Sequence, residues 1–106
     1  MKVASIQMSV VEGHKTATID KAIDNIRRCE WNNLVILPEI WNIGFMSFDR
    51  YLAEAEDSKG RTLIRLGEAA KEIGAYLHTG SFVEKKNGKY YNSSYLISPD
   101  GNVLAN

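Results

Sequence analysis

A carboxylate that directly follows an apolar strand is the first candidate for chemistry in this sequence. The run Leu34 to Leu37 is short, unbroken and apolar and is followed by Pro38, a pattern typical of a strand buried on both faces. Glu39 comes next, at the carboxyl end of that strand, where open α/β sheets usually bind ligands. Burial there would favour the neutral carboxyl and suit Glu39 to act as a general base. The alternative is that an acidic residue after proline only marks the exit into a loop.

The sequence predicts structural roles for the other potentially reactive side chains. Cys29 ends an apolar helical stripe, which predicts a small buried hydrophobe, since a reactive thiol needs electropositive and partly exposed surroundings. His14 and His78 have no partner motif and are not expected to act as catalytic bases. One cysteine and two histidines also provide neither a disulfide nor the spacing of a zinc site. We therefore expect no metal.

Two features near Glu39 bear on a possible pocket. The loop after it contains Trp41, Phe45 and Phe48, which either line a substrate pocket or cover a sheet edge; the two interpretations are equally supported. Asn92 falls on a predicted inner strand, where its amide needs hydrogen-bond partners. It could brace the loop that carries Glu39.

Hydrophobic periodicity predicts an α/β fold with the order β-α-β-α-β followed by a β-meander. The expected elements are strands over 2–9 and 34–37, helices over 16–29 and 62–73, strands over 76–83 and 90–97, and a strand that starts at Val103. Gly74 is the predicted terminator of the second helix. Asn87-Gly88 is typical of a tight hairpin, and Pro99 to Asn102 of a further turn.

Composition narrows the functional classes. The 106 residues include 13 Lys+Arg and 13 Asp+Glu, so the formal net charge is zero. Nucleic acids and anionic membranes attract proteins with a basic surplus, and neither is predicted as a partner. No apolar run approaches the roughly 20 residues of a membrane span, and no signal peptide is evident, which predicts a cytoplasmic protein. We expect residues 1–106 to form a single domain.

The order of several motifs resembles that of the nitrilase-like carbon-nitrogen hydrolases, which include amidases, nitrilases and carbamoylases. The resemblance spans the chain and rests on five segments, namely 3–8 with its Gln7, 34–39, 43–45, 80–84 and 91–101. It implies that the chain is part of an α-β-β-α sandwich. Because the strand that starts at Val103 has only a few residues before the sequence stops, we expect this to be the amino-terminal part of a truncated domain.

The resemblance also implies a mechanism. Members of the family use a Glu-Lys-Cys triad, in which the glutamate deprotonates the thiol, the cysteine attacks the amide or nitrile carbon and the lysine stabilises the developing charge. Glu39 matches the glutamate, whereas the other two positions would follow Asn106. Trp41, Phe45 and Asn92 are the candidates for the substrate pocket. No cofactor is implied, and the chain alone is expected to be inactive.

The expected partners are a small-molecule amide, nitrile or carbamoyl substrate, and either further copies of the chain in a homo-oligomer or the missing carboxyl-terminal part. Two other functions stay open. The chain could be a non-catalytic binding or scaffold module, which would bind a ligand without turnover. It could also be a complementation fragment, which would gain activity when combined with the remainder of the enzyme.

Overall fold

A computed structural model describes all residues from Met1 to Asn106. The strands are β1 (Val3–Ser5), β2 (Leu34–Ile36), β3 (Tyr76–His78), β4 (Phe82–Lys86), β5 (Lys89–Ser93), β6 (Leu96–Ile97) and β7 (Val103–Ala105), and the helices are α1 (Lys15–Arg27), α2 (Tyr51–Glu54), which follows a short 3-10 helix, and α3 (Arg61–Ile73). The predicted α/β class and both long helices are confirmed.

The main sheet has five strands in the order β1-β2-β3-β6-β7. Its first three strands are parallel, and β6 and β7 are antiparallel to their neighbours. Ala4, Val35, Leu77 and Ile97 lie opposite one another and form one row across four strands. This row packs into the core against the helices.

Both long helices present one apolar stripe to that row. The buried residues are Ile19, Ala22, Ile23 and Ile26 on α1 and Leu63, Leu66, Ala69 and Ala70 on α3. Their spacing of three and four residues places each set on one helical face. Gly74 ends α3 as predicted, with a left-handed φ of 66° and its N–H donating to the carbonyl of Ala70.

The opposite face of the sheet has no helical layer. Val3 and Tyr76, which lie in the alternate row, are 48% and 44% exposed. Leu34 and Ile36 on β2, an inner strand, are only half-buried. The prediction that the strand over 34–37 is buried on both faces is therefore wrong on this side, because an apolar run does not reveal how many layers cover it.

The predicted strands over 76–83 and 90–97 are each broken into two. The chain leaves the main sheet after β3, forms the separate β4–β5 hairpin and returns as β6. Gly80, at a φ of 61°, turns the chain out of the sheet. Residues 79–84 are all buried, so burial does not alternate across the break, and the segment between His78 and Phe82 contains no proline or charged residue that would mark it. Asn87 and Gly88 both have positive φ and form the predicted hairpin turn.

The remaining differences are small. The first strand is confined to Val3–Ser5, although Ile6 and Met8 still pack against the core as the predicted alternation requires. The turn over 99–102 is present and is closed by the Gly101 N–H, which donates to the carbonyl of Ser98. None of the helices combines the length and apolar character that crossing a bilayer demands.

Candidate active site

Glu39 lies just beyond the carboxyl end of β2, in a solvent-open cleft of about 290 Å³. The cleft is lined by Leu37, Glu39, His78, Gly80, Ser81, Asn92 and Ser94. The Glu39 residue is exposed, so its predicted burial is wrong for this chain. His78, which pairs with the half-buried Ile36 on the uncovered side of the sheet, lines the same solvent-open cleft. A larger cleft of about 720 Å³ beside the β4–β5 hairpin does not include Glu39.

The side chain of Glu39 is held by Asn92. Nδ2 of Asn92 donates a hydrogen bond of 2.9 Å to Oε1 of Glu39. Asn92 lies on β5, opposite Val83 of β4, so the hairpin carries the amide to the edge of the main sheet. The contact between Asn92 and the segment of Glu39, proposed from the sequence, is present in the structure.

The backbone of Glu39 is fixed on both sides by one serine. Ser81 donates its N–H to the carbonyl of Pro38 at 3.1 Å, and its Oγ accepts the buried N–H of Ile40 at 3.1 Å. Ile40 has a φ of 45°, a conformation that is costly for a β-branched residue. Ser81 therefore clamps a strained turn whose central residue is Glu39.

Gly80 allows its own turn to contact the turn that carries Glu39. A Cβ atom at Gly80 would lie 1.9 Å from the carbonyl oxygen of Pro38, so no side chain fits there. The carbonyl of Gly80 accepts a hydrogen bond of 2.6 Å from Ser94 Oγ. The segments before β4 and after β2 are thus in direct backbone contact, which sets the position of Glu39 relative to the hairpin.

His78 belongs to the same cleft, although the sequence indicated only a structural or solvated role for it. It ends β3, the strand next to β2, and its Nδ1 accepts a hydrogen bond of 3.1 Å from the N–H of Gly80. The useful signal was topological: parallel neighbours bring their carboxyl ends together, so His78 and Glu39 had to lie near one another.

The structure does not bring the two aromatic candidates into the cleft. Trp41 is 2% exposed, and its indole N–H donates to the carbonyl of Thr79 at 2.9 Å, which satisfies its polar group inside the core. Phe45 is 51% exposed and packs edge to face on Phe48, with 6.3 Å between ring centroids. Trp41 therefore packs in the core, and Phe45 is part of a surface aromatic group.

Tyr51 is a neighbour of Glu39 that the sequence did not single out. Its hydroxyl donates to the carbonyl of Phe45. Burial raises the pKa of Tyr51, and the negative charge of Glu39 raises it further. The Tyr51 phenol therefore stays protonated, and the charge of Glu39 contributes to this. Nothing in the local sequence pattern around Tyr51 indicates this proximity.

Cys29 behaves as its helical spacing predicts. It is half-buried just after α1, packs against the core, and donates its thiol to the carbonyl of Asn25 at 3.3 Å. Burial raises the pKa of the Cys29 thiol, which disfavours the nucleophilic thiolate. Cys29 does not line the Glu39 cleft.

Known proteins show the same arrangement of elements. The chain is 34% identical to the omega-amidase NIT2 of Homo sapiens over 108 residues, which cover 98% of this chain and 38% of that protein. Two similar solved structures are XC1258 from Xanthomonas campestris, a CN-hydrolase superfamily protein (TM-score 0.88, 25% identity), and Saccharomyces cerevisiae Nit3, a nitrilase superfamily member (TM-score 0.86, 27% identity). They are covered over 38% and 41% of their chains, and this chain over 98% and 97%.

The chain therefore matches a nitrilase-type α/β fold over nearly its whole length, while spanning about two-fifths of the proteins that it resembles. The sequence model of the carbon-nitrogen hydrolase family matches residues 2–106. Together with the similarity to an omega-amidase, this match identifies the chain as a member of the carbon-nitrogen hydrolase family.

Proposed function

We propose that this chain supplies the general base, Glu39, of an enzyme that hydrolyses the carbon-nitrogen bond of small amides, nitriles or carbamoyl compounds. The observation that carries the proposal is the position of Glu39: the carboxylate lies in a cleft at the carboxyl end of β2, an inner strand of the main sheet, and Asn92 donates a hydrogen bond to one of its oxygens. A base must be held within reach of its proton donor, and such positioning supports that role.

The proposed reaction with an amide begins with proton transfer from a cysteine thiol to Glu39. The thiolate attacks the carbonyl carbon, and a lysine ammonium group stabilises the negative charge that develops on oxygen. The carbon-nitrogen bond then breaks, the amine leaves with the proton returned by Glu39, and a thioester remains. Water, deprotonated by Glu39, hydrolyses the thioester to the acid and regenerates the thiol.

The described cleft contains neither a lysine nor a cysteine. In this proposal the complete enzyme provides both, and the 106-residue chain alone has no measurable hydrolase activity. The uncovered face of the main sheet, with Val3 and Tyr76 exposed, favours association with further polypeptide. This observation supports the second candidate function, that of a complementation fragment, and it is also compatible with a homo-oligomer.

Ammonia release from propionamide tests the function. The complete product of the gene that encodes this chain should release ammonia, and the 106-residue chain should not. Addition of separately produced polypeptide that follows residue 106, where the gene encodes one, should restore turnover to the chain. Absence of hydrolysis of amides, nitriles and N-carbamoyl compounds by the complete product would contradict the proposal and leave the binding-module alternative.

A further inference from the structure

Glu84 is a buried acidic residue on β4, with 4% of its surface exposed. Its strand lies between two neighbours, β5 on one side and the segment around Glu56 on the other. The N–H of Glu56 donates to the carbonyl of Val83 at 3.1 Å, and the N–H of Lys85 donates to the carbonyl of Glu56 at 2.9 Å. The backbone that carries Glu84 is thus fixed along both edges.

Two hydroxyl groups donate to the Glu84 carboxylate. Ser93 Oγ donates to Oε1 at 3.1 Å, and the Tyr95 hydroxyl donates to Oε2. The Tyr95 ring is held by stacking on Phe82, with 5.8 Å between ring centroids. Burial raises the pKa of the Tyr95 phenol, and the hydrogen bond to Glu84 raises it further, so the phenol remains a donor. Because both donors are neutral, neither balances the negative charge.

The chain supplies no cation to Glu84. None of its ion pairs includes this carboxylate. The ammonium group of the adjacent Lys85 lies instead 5.7 Å from the centroid of the Tyr90 ring. The nearby acid Glu56, by contrast, is paired with the buried Lys15. Since buried carboxylates are normally paired with a cation, Glu84 has the character of one half of an ion pair.

The unused acceptor positions of Glu84 indicate which cation would fit. An ionised carboxylate has about four such positions, two on each oxygen. Ser93 fills one on Oε1 and Tyr95 one on Oε2, which leaves one on each oxygen. A guanidinium group presents two parallel N–H donors that match the two oxygens, whereas an ammonium group is a point charge without this fork. No group of three His, Cys, Asp or Glu side chains is placed to hold a metal ion.

The larger cleft, of about 720 Å³, gives access to Glu84. Asp57 lines this cleft and contributes a second negative charge, and Ala55 and Val103 contribute apolar surface. A guanidinium group on an alkyl chain matches this combination, because its charge faces the acids while its stem packs on the apolar side chains. The lysines at 85–86 also line the cleft, but they are exposed and pair with neither acid.

We propose that Glu84, with Ser93 and Tyr95, forms a binding site for a guanidinium group, which enters through this cleft and donates two N–H groups to the carboxylate. The guanidinium group belongs either to an arginine side chain of further polypeptide in the complete gene product or to a free small molecule. The cleft does not include Glu39, so the site is separate from the proposed base.

Glu84→Gln distinguishes an unpaired carboxylate from a paired one. Glutamine has nearly the same shape, accepts from one hydroxyl and donates to the other, so it removes only the charge. In the 106-residue chain we expect a higher urea midpoint, because an uncompensated buried charge is lost. In the complete gene product we expect a lower midpoint, because an arginine loses its partner. Glu56→Gln is the matched control and should lower both midpoints, since Lys15 pairs with Glu56 inside the chain.

Ethylguanidine tests the binding chemistry directly. It should raise the Tm of the 106-residue chain, with a dissociation constant of about 1–10 mM, and have less effect on Glu84→Gln. Butylammonium at equal concentration controls for ionic strength and should have less effect on the unsubstituted chain. Ethylguanidine should not raise the Tm of the complete gene product when an arginine occupies the site, and should raise it when the natural ligand is a free molecule.

Either of two results would support the site: opposite effects of Glu84→Gln in the chain and in the complete gene product, or stabilisation of the unsubstituted chain by ethylguanidine beyond that by butylammonium. The absence of both would overturn it. The second result needs no variant, so a poorly folded Glu84→Gln leaves the test intact. Neither measurement requires hydrolysis, and the site at Glu84 and the proposed role of Glu39 therefore stand or fall separately.

Discussion

Asn92 and Glu39 are 53 positions apart in the sequence, yet the amide of one donates a 2.9 Å hydrogen bond to the carboxylate of the other. The contact joins the β4–β5 hairpin to the carboxyl end of β2, which belong to different sheets. Both residues are exposed, so packing alone does not hold the Glu39 side chain in one orientation. We infer that Asn92 is a positioning residue for the proposed base.

Removing that hydrogen bond should lower the rate of hydrolysis. We expect Asn92→Ala to reduce kcat for propionamide in the complete gene product by about 10-fold, because a misplaced catalytic group costs one to two orders of magnitude. Asn92→Asp should be worse, since it puts a like charge beside Glu39. Tyr91→Phe, an exposed neighbour on β5, is the matched control. A kcat for Asn92→Ala equal to that of the control would argue against the positioning role.

The turn that carries Glu39 depends on the absence of a side chain at Gly80. Gly80→Ala should destabilise the fold well beyond the roughly 1–2 kcal/mol that a left-handed alanine costs, because the new Cβ would meet the carbonyl of Pro38. Gly88→Ala is the control: its φ of 74° is similarly left-handed, but no atom lies within 4 Å of the added Cβ. Urea unfolding measures both, and equal losses of stability would show that Pro38 and Gly80 are not in contact.

Acid stability should depend on Glu56. Burial alone would raise the pKa of Glu56, but hydrogen bonds from Lys15 and Thr62, including the N–H of Thr62 at 2.8 Å, lower it below its ordinary value. Because the folded pKa is the lower one, this contribution to stability is complete above the unfolded pKa of about 4.3 and disappears as the pH falls through the folded value.

Unfolding free energies measured from pH 7 down to pH 3 test this dependence. The unsubstituted chain should lose stability below about pH 4.3, whereas Glu56→Gln should be less stable at pH 7 and lose less over the same range. Glu30→Gln, at an exposed position, is the control and should keep the full acid dependence. Identical pH profiles for all three proteins would contradict the assignment to Glu56.

The local pattern of apolar residues was sufficient to predict the helices, which pack on the main sheet. The spacing of Ile23 and Ile26, and of Leu66 and Ala70, predicted both long helices, since each apolar stripe records one buried face. Patterning failed at Gly80, where the chain changes sheets although no proline or charged residue between His78 and Phe82 marks the break.

The candidate active site was predictable only in part, because it depends on contacts between segments that are distant in the sequence. Glu39 and Asn92 were identified as candidates and the structure places them in contact. The exposure of Glu39 was not foreseen, because burial depends on a second layer that residue periodicity does not record. His78 was missed as a residue of the cleft because its place beside β2 follows from the parallel pairing of β2 and β3, which is a property of topology and not of local sequence.

Ammonia release from propionamide by the complete gene product carrying Glu39→Gln, with Glu30→Gln as the control, tests whether Glu39 is the general base. We expect a loss of about 10²- to 10⁴-fold in kcat for Glu39→Gln, the usual contribution of a positioned base, and near-normal activity for the control. Activity of Glu39→Gln within a few fold of the control would contradict it.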